Sequence, residues 1–304
     1  MSPISKVLLH RQFSGKSASH DVGYHAKPVL LEHEFTLLSS FITQYSGIKV
    51  PPAKKTMLES RLAKRLRALR IGSFIEYADY LFSPTAHDRE IPLMINAITT
   101  NKTEFFREPS HFEYLSASAL PELVKRTSRH HQPTIHAWSA GCSSGEEAYT
   151  MAMVLSEFTD KYPETVFSVL ATDVCTTVLQ QGKTGIYEKD KVQSVVPCLK
   201  RKYFMRGKND LSGFFRIVPE LRAKVRFQHL NLMDEPFNIG VPMEIIFCRN
   251  VLIYFERKTQ EHLINKFHDH LAPGGYLFLG HSESLNGMSV NLKQVSSAVY
   301  RKTG

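Results

Sequence analysis

The chain has 304 residues, room for one large domain and a small one. Hydrophobic residues make up 42%, which excludes a disordered composition; no run approaches the ~20 apolar residues of a membrane span, and no secretory signal is read. The net charge of +9 suggests an acidic partner, while the four scattered cysteines (Cys142, Cys175, Cys198, Cys248) lack metal or disulfide spacing, so a reducing cytoplasm and no metal are expected.

Residues 1–30 read as a flexible tail in which His10, His20 and His25 have no ligand spacing. Residues 31–98 read as an all-α domain. Its first helix, 32–45, carries Phe35, Leu38 and Ile42 at helical spacing and ends at Gly47. The second, 53–69, puts Leu58, Leu62, Leu66 and Leu69 on one stripe and Lys54, Arg61, Lys64 and Arg65 beside it. Helices at 73–81 and 88–98 follow, then a linker over 99–112.

Residues 113–304 alternate helices with strands, beginning with a helix at 112–125. Strands are expected at 134–138, 166–171, 225–229, 243–248 and 276–280, with helices at 145–160 and 257–271 between them. This alternation predicts an α/β, doubly wound, Rossmann-like domain. Residues 199–224 interrupt it and read as a β-hairpin insertion whose loop is 206–213.

The chemistry gathers around the turn Trp138-Ser-Ala-Gly-Cys-Ser-Ser-Gly-Glu-Glu147. Gly141 closes the first strand and Gly145 opens a helix, which lets backbone approach a ligand at a helix N-terminus. The spacing is not the dinucleotide fingerprint, and Glu146 and Glu147 would repel a pyrophosphate. The second strand ends Leu170-Ala-Thr-Asp173, and an acid there can hold a ribose diol. Together the two features indicate a nucleoside cofactor without phosphate, S-adenosylmethionine rather than NAD.

Several further motifs occur in order: Thr100-Asn-Lys-Thr-Glu-Phe-Phe-Arg-Glu108, Tyr203-Phe-Met-Arg-Gly207, Asn231-Leu232, Phe247-Cys-Arg-Asn-Val-Leu-Ile-Tyr-Phe255 and Gly280-His-Ser-Glu283. With these the chain resembles the CheR-type chemotaxis receptor methyltransferases over residues 35–302. The resemblance implies a helical N-terminal domain, a methyltransferase domain and an inserted β-subdomain. By motif position it implies that Asn101, Thr103 and Arg107, on the linker, lie over the cofactor. Gly141 belongs to its turn, Glu146 holds its amino-acid portion and Asp173 its ribose. Asn231 and Leu232 border the adenine, with Cys248 and Arg249 behind the methionine side; Arg107 and Tyr254 lie nearest the transferred methyl. The chain departs from the family pattern at Cys142, at Cys175 and near Asn209, where a second glycine is expected in the hairpin loop.

The implied reaction makes glutamate methyl esters on chemoreceptors and releases S-adenosylhomocysteine. No general base is needed, because a glutamate of reference pKa ~4.3 is already ionised at neutral pH. Lys54, Arg61, Lys64 and Arg65 would steer onto the receptor's helical cytoplasmic region, and the hairpin would capture a receptor C-terminal peptide by strand addition. A monomer is expected. A nucleic-acid methyltransferase would also explain the basic charge, but Cys248-Arg-Asn-Val251 lacks the prolines usual after its fourth strand, so no nucleic acid is expected. A non-catalytic scaffold would have little reason to keep Arg107, Asp173 and Tyr254.

Overall fold

A computed structural model describes residues 28–127 and 133–303, save the side chain of His87. The expected tail and its three histidines lie outside the described residues, apart from the last three residues of that tail. The chain divides into two units, 1–99 and 100–304.

In the first unit, α1 (Glu32–Ser46), α2 (Lys55–Leu69), α3 (Phe74–Leu81) and α4 (His87–Ile98) follow the apolar periodicity. Gly47 ends α1 in the left-handed conformation, with φ 73°, and Ser73 caps α3 by accepting from the Glu76 N–H. The leucine stripe of α2 is buried through Leu58, Leu62 and Leu66. The basic stripe beside it is not uniformly free. Arg65 forms a two-pronged pair with buried Glu90 at 2.9 and 2.8 Å, and Tyr77 donates to the same carboxylate. Arg61 donates to the carbonyls of Ile98 and Thr99, closing the end of α4. Both arginines are therefore engaged within the helical unit while remaining half-buried; Lys64 is exposed and Lys54 half-buried.

The second unit is a seven-stranded sheet in the order β6-β2-β1-β7-β8-β10-β9. Its strands are β1 (Thr134–Ala140), β2 (Val166–Asp173), β6 (Val225–His229), β7 (Met243–Cys248), β8 (Leu271–Leu279), β9 (Leu292–Ser296) and β10 (Val299–Lys302). The first five are parallel, and β10 runs antiparallel to β8 and β9. Side chains alternate across a strand, so the apolar runs feed two cores. Ile135, Ala137, Ile245, Phe247, Tyr276 and Phe278 enter one core. Trp138, Ala140, Ile246, Cys248, Leu277 and Leu279 enter the other.

Helices α5 (Pro109–Tyr114), α6 (Leu120–Thr127), α7 (Glu146–Thr159), α8 (Thr176–Thr184) and α11 (Arg257–His270) cover the sheet. The single helix expected over 112–125 is instead α5 and α6 joined by a π-helical turn, Leu115–Ala119. The insertion is larger than a hairpin. Strands β4 (Phe204–Arg206) and β5 (Phe214–Ile217) pair as expected, but β3 (Ile186–Glu188), from outside 199–224, completes a three-stranded sheet in the order β3-β5-β4. Short helices α9 (Pro197–Tyr203) and α10 (Pro219–Arg222) flank it. Asn209, near which a second glycine is expected, has φ 52°, a left-handed backbone that asparagine tolerates.

Candidate active site

In the sheet order, β1 and β7 are neighbours although the chain runs β1 to β2 on one side and β7 to β8 on the other. This is the strand-order switch at whose carboxyl ends open α/β sheets bind ligands. Gly141, Asp173, Asn231 and Arg249 follow or terminate β1, β2, β6 and β7, so four separate parts of the chain reach one sheet edge.

The glycine turn is held by backbone. The N–H groups of Gly141 and Cys142 donate to the Thr172 carbonyl at 2.8 and 2.9 Å. Gly141 has φ 79°, and a Cβ there would meet Val251 Cγ2 at 2.5 Å; one at Gly145, φ 95°, would meet Phe227 at 2.9 Å. Only glycine fits either place. Asp173 then locks turn to strand: Oδ2 accepts from Ser143 N–H at 2.8 Å and Oδ1 from Cys175 N–H at 2.9 Å. Burial raises its pKa, and those donated N–H groups offset part of the rise. Cys175 also receives Asn101 Nδ2 on its sulfur at 3.5 Å, so the departure after Asp173 still has a polar partner.

Glu146, on the first turn of α7, is buried and its pKa is raised by that burial. Ser144 donates to it at 2.7 Å, and the Lys191 ammonium stands 3.9 Å away while also reaching the Thr103 carbonyl at 3.4 Å. The segment 100–108 is tied to this edge at two further points. Ser143 donates to the Asn101 carbonyl at 3.1 Å, and the Phe106 N–H donates to Thr150 at 3.2 Å. Phe106 and Glu108, on either side of Arg107, both have positive φ, at 55° and 54°. Each costs of the order of 1–2 kcal/mol, a strain sustained by the surrounding bonds. Arg107 itself is half-buried; its Nη1 donates to the Lys102 carbonyl at 3.1 Å, and no ion pair to it is found among the described residues.

A buried arginine fastens the segment. Arg249 Nε donates to Glu147 Oε2 at 2.8 Å, Nη2 to the Arg107 carbonyl at 2.7 Å and Nη1 to His111 Nδ1 at 3.1 Å. Its guanidinium lies over the rings of Phe112 and Phe247 and 3.7 Å from Glu108 Oε2. Burial and the adjacent Arg249 charge push the His111 pKa down to about 4, so this histidine is a neutral acceptor at ordinary pH. For Glu108 burial is the largest influence and raises the pKa, but Arg249, Asn250 and the His281 N–H together lower it below the usual value. The ligand-type atoms of Glu108, His111 and His281 lie within 4.8 Å of one another, yet Arg249 already supplies a cation to that group.

Glu283 does for the following loop what Asp173 does for the turn. Its carboxylate accepts from the N–H groups of Gly280, Asn250 and Ile253 at 2.7, 2.9 and 3.3 Å. These bonds fix the 3₁₀ turn Leu252–Tyr254, which carries half-buried Tyr254. Asn231 is buried and caps its own loop, accepting from Met233 N–H at 3.1 Å, with buried Leu232 beside it.

Residues 101–301 match the description "CheR methyltransferase, SAM binding domain" and residues 33–99 match "CheR methyltransferase, all-alpha domain". The chain belongs to the CheR methyltransferase family. It is 38% identical to a chemotaxis protein methyltransferase of Borreliella burgdorferi over 90% of this chain and 95% of that protein. It is 36% identical to chemotaxis protein methyltransferase 2 of Pseudomonas aeruginosa over 88% of this chain and 92% of the relative. A chemotaxis protein methyltransferase of Klebsiella aerogenes is 36% identical over 90% of this chain and 91% of that protein. This CheR-family chain is thus an S-adenosylmethionine-dependent enzyme of the protein-glutamate O-methyltransferase type.

The residues fit that cofactor. Two buried carboxylates, Glu146 and Asp173, stand beside a turn where a Cβ would collide, and both are pushed toward the neutral form by burial. Each carboxylate oxygen can accept a further hydrogen bond beyond those it already receives, so an ammonium group and a diol are partners these acids can take. Two residues expected behind the methionine side, Cys248 and Arg249, are both buried in this CheR-family chain. Cys248 is fully buried in the core with Trp138, and Arg249 spends its donors on Glu147, His111 and the Arg107 carbonyl. No helix among the described residues is long and apolar enough to cross a membrane. Sequence reading missed Glu147, His111, Glu108 and Glu283 as supports; the motifs around Arg107 and Gly280 contained two of them, but only folding reveals their partners.

Proposed function

We propose that this enzyme methylates glutamate side chains of chemoreceptors, in chemosensory adaptation, and that Arg107 and Tyr254 meet the substrate. One observation carries the reading: an arginine without an ion-pair partner among the described residues is held by its own carbonyl at the edge that also carries Asp173 and Glu146. Asp173, Glu146, Gly141, Asn101, Thr103, Asn231 and Leu232 are the candidates to hold S-adenosylmethionine. Bound there, the cofactor supplies an activated methyl group. The chain's own work is placement and exclusion of water. The incoming carboxylate is ionised, so no residue has to remove a proton. Arg107 presents a planar fork that can orient both carboxylate oxygens. Too tight a grip would favour the bound ground state, so a half-exposed arginine suits positioning better than a buried one. Tyr254 can donate through its hydroxyl to substrate or cofactor.

Receptor docking is assigned to Lys54 and Lys64 on the basic side of α2, with Arg61 and Arg65 kept for internal bonds. In the three-stranded sheet β3 and β4 are the edges, and either can accept a receptor C-terminal peptide as an added strand. Calorimetric titration of such a peptide tests this. The central reading is tested by tritiated-methyl transfer to receptor-containing membranes. Arg107→Ala should abolish transfer while melting like the parent; normal turnover in that variant would overturn the assignment.

A further inference from the structure

The net charge of +9 is not used up by the sites above, and part of it gathers in one hollow of the second unit. That hollow, about 410 Å³, is lined by Arg126, Gly274, Lys293, Val295, Arg301 and Lys302 with Thr303 at its rim. It lies toward the amino ends of the parallel strands. Gly274 is six residues before Gly280 along β8, so at about 3.3 Å per residue the hollow is roughly 20 Å from the candidate active site.

Arg126, Lys293 and Arg301 bring three cationic side chains to it, and one carboxylate answers them. Arg301 pairs with Glu122 at 2.8 Å, but Tyr276 donates to the same carboxylate at 2.9 Å. The Lys302 ammonium is taken up by the carbonyls of His268 and Leu271. Arg126 and Lys293 have no ion pair among the described residues. Two details show that the crowding is built in. Lys293 and Arg301 are direct partners in the antiparallel β9–β10 register, an arrangement that destabilises a sheet when the charges are alike. Arg126 packs against Gly274, its Nη1 1.2 Å from where a Cβ would stand, so a side chain at 274 would have to displace the end of this arginine.

We propose that this hollow is an anion-binding site for a phosphate-bearing ligand, separate from the methyl-transfer centre. A phosphate monoester carries roughly −1.5 to −2 charges and three acceptor oxygens, a better match than a planar monoanionic carboxylate to cations converging from α6, β9 and β10. The volume exceeds a bare phosphate and leaves room for the group that bears it. Bound phosphate neutralises the opposed Lys293 and Arg301.

The probe is inorganic pyrophosphate, titrated by calorimetry into the full chain, alongside vesicles of phosphatidylglycerol in phosphatidylcholine. Saturable pyrophosphate binding with Kd below about 1 mM is expected, weakened at least about tenfold in Arg126→Gln/Lys293→Gln. S-adenosylmethionine affinity should be unchanged. Lys293→Glu should abolish binding and raise the melting temperature without ligand, because it turns a like-charged cross-strand pair into an attractive one; this guards against a variant that merely unfolds. Vesicle cosedimentation that pyrophosphate displaces assigns the phosphate to a lipid headgroup, and pyrophosphate binding without cosedimentation assigns it to a soluble ligand. Binding equal in parent and double variant, or absent with both probes, overturns the site.

Discussion

Arg249→Met should cost this enzyme much of its stability and its methyl transfer without first costing it the cofactor. The arginine side chain is 2% exposed and its partner Glu147 is 11% exposed, so both charges sit out of water. Methionine fills similar volume over Phe112 and Phe247 but leaves the Glu147 carboxylate, the Arg107 carbonyl and His111 Nδ1 without their donor. Removing one partner of a buried pair typically costs about 3–5 kcal/mol. For a unit of about 200 residues each kcal/mol lowers Tm by roughly 2–4 °C, so a fall of roughly 6–20 °C is expected by calorimetry. The second variant, Glu147→Gln, removes the stranded charge. Arg249→Met/Glu147→Gln should therefore be less destabilised than the two single changes added together, with a coupling of at least about 1 kcal/mol. Arg249→Lys keeps the charge but not the fork; it should reduce kcat, since the Arg107 carbonyl loses its anchor, and leave S-adenosylmethionine affinity within a few-fold. A Tm shift below about 2 °C in Arg249→Met, or additive single changes, would refute the clamp. A selective loss of cofactor affinity in Arg249→Lys would instead return Arg249 to the cofactor.

Other outcomes follow from the same geometry. Gly141→Ala forces a Cβ to 2.5 Å from Val251 at φ 79°, and should destabilise by roughly 2–5 kcal/mol while weakening cofactor binding measured by calorimetry; a parent-like affinity contradicts the cradle. His111 is neutral in the fold, with a pKa of about 4 against an ordinary 6.5, so between these values the unfolded chain binds more protons. Stability is therefore full above about pH 6.5 and declines as pH falls toward 4, by up to about 3 kcal/mol from this group. Urea unfolding across that range should show the slope, and His111→Asn should flatten it. Glu108, whose pKa is lowered, adds loss of the same sign as pH falls through the carboxylate range. Lys64→Glu should lower receptor methylation several-fold and leave turnover of a short soluble glutamate peptide unchanged; equal loss on both substrates argues against docking. Reversal of Arg65, by contrast, would place a carboxylate against buried Glu90 and should unfold the helical unit.

Local patterns carried much of this protein. Apolar periodicity placed the four helices of the first unit and five parallel strands, because each such element must bury one face or both. The glycine turn and Asp173 were legible for the same local reason: a φ only glycine adopts, and an acid one βαβ unit later. Other elements had little local signal. Thr176–Thr184 is rich in threonine and contains a glycine, both poor helix formers, and Leu292–Ser296 is a polar edge strand that owes its shape to pairing with β10. The roles of charged residues were least visible. Arg61 and Arg65 sit on a basic stripe beside exposed Lys64, and spacing does not separate a solvated arginine from one that meets Glu90 25 residues away. Arg249 reaches Glu147 across 102 residues and the Arg107 carbonyl across 142. A helix or strand is specified by neighbours a few positions apart, so sequence alone determined the strongly periodic elements and the glycine turn. The partner of a buried charge is whatever the packed chain brings within 3 Å, and only the tertiary structure decided how Arg107 is held.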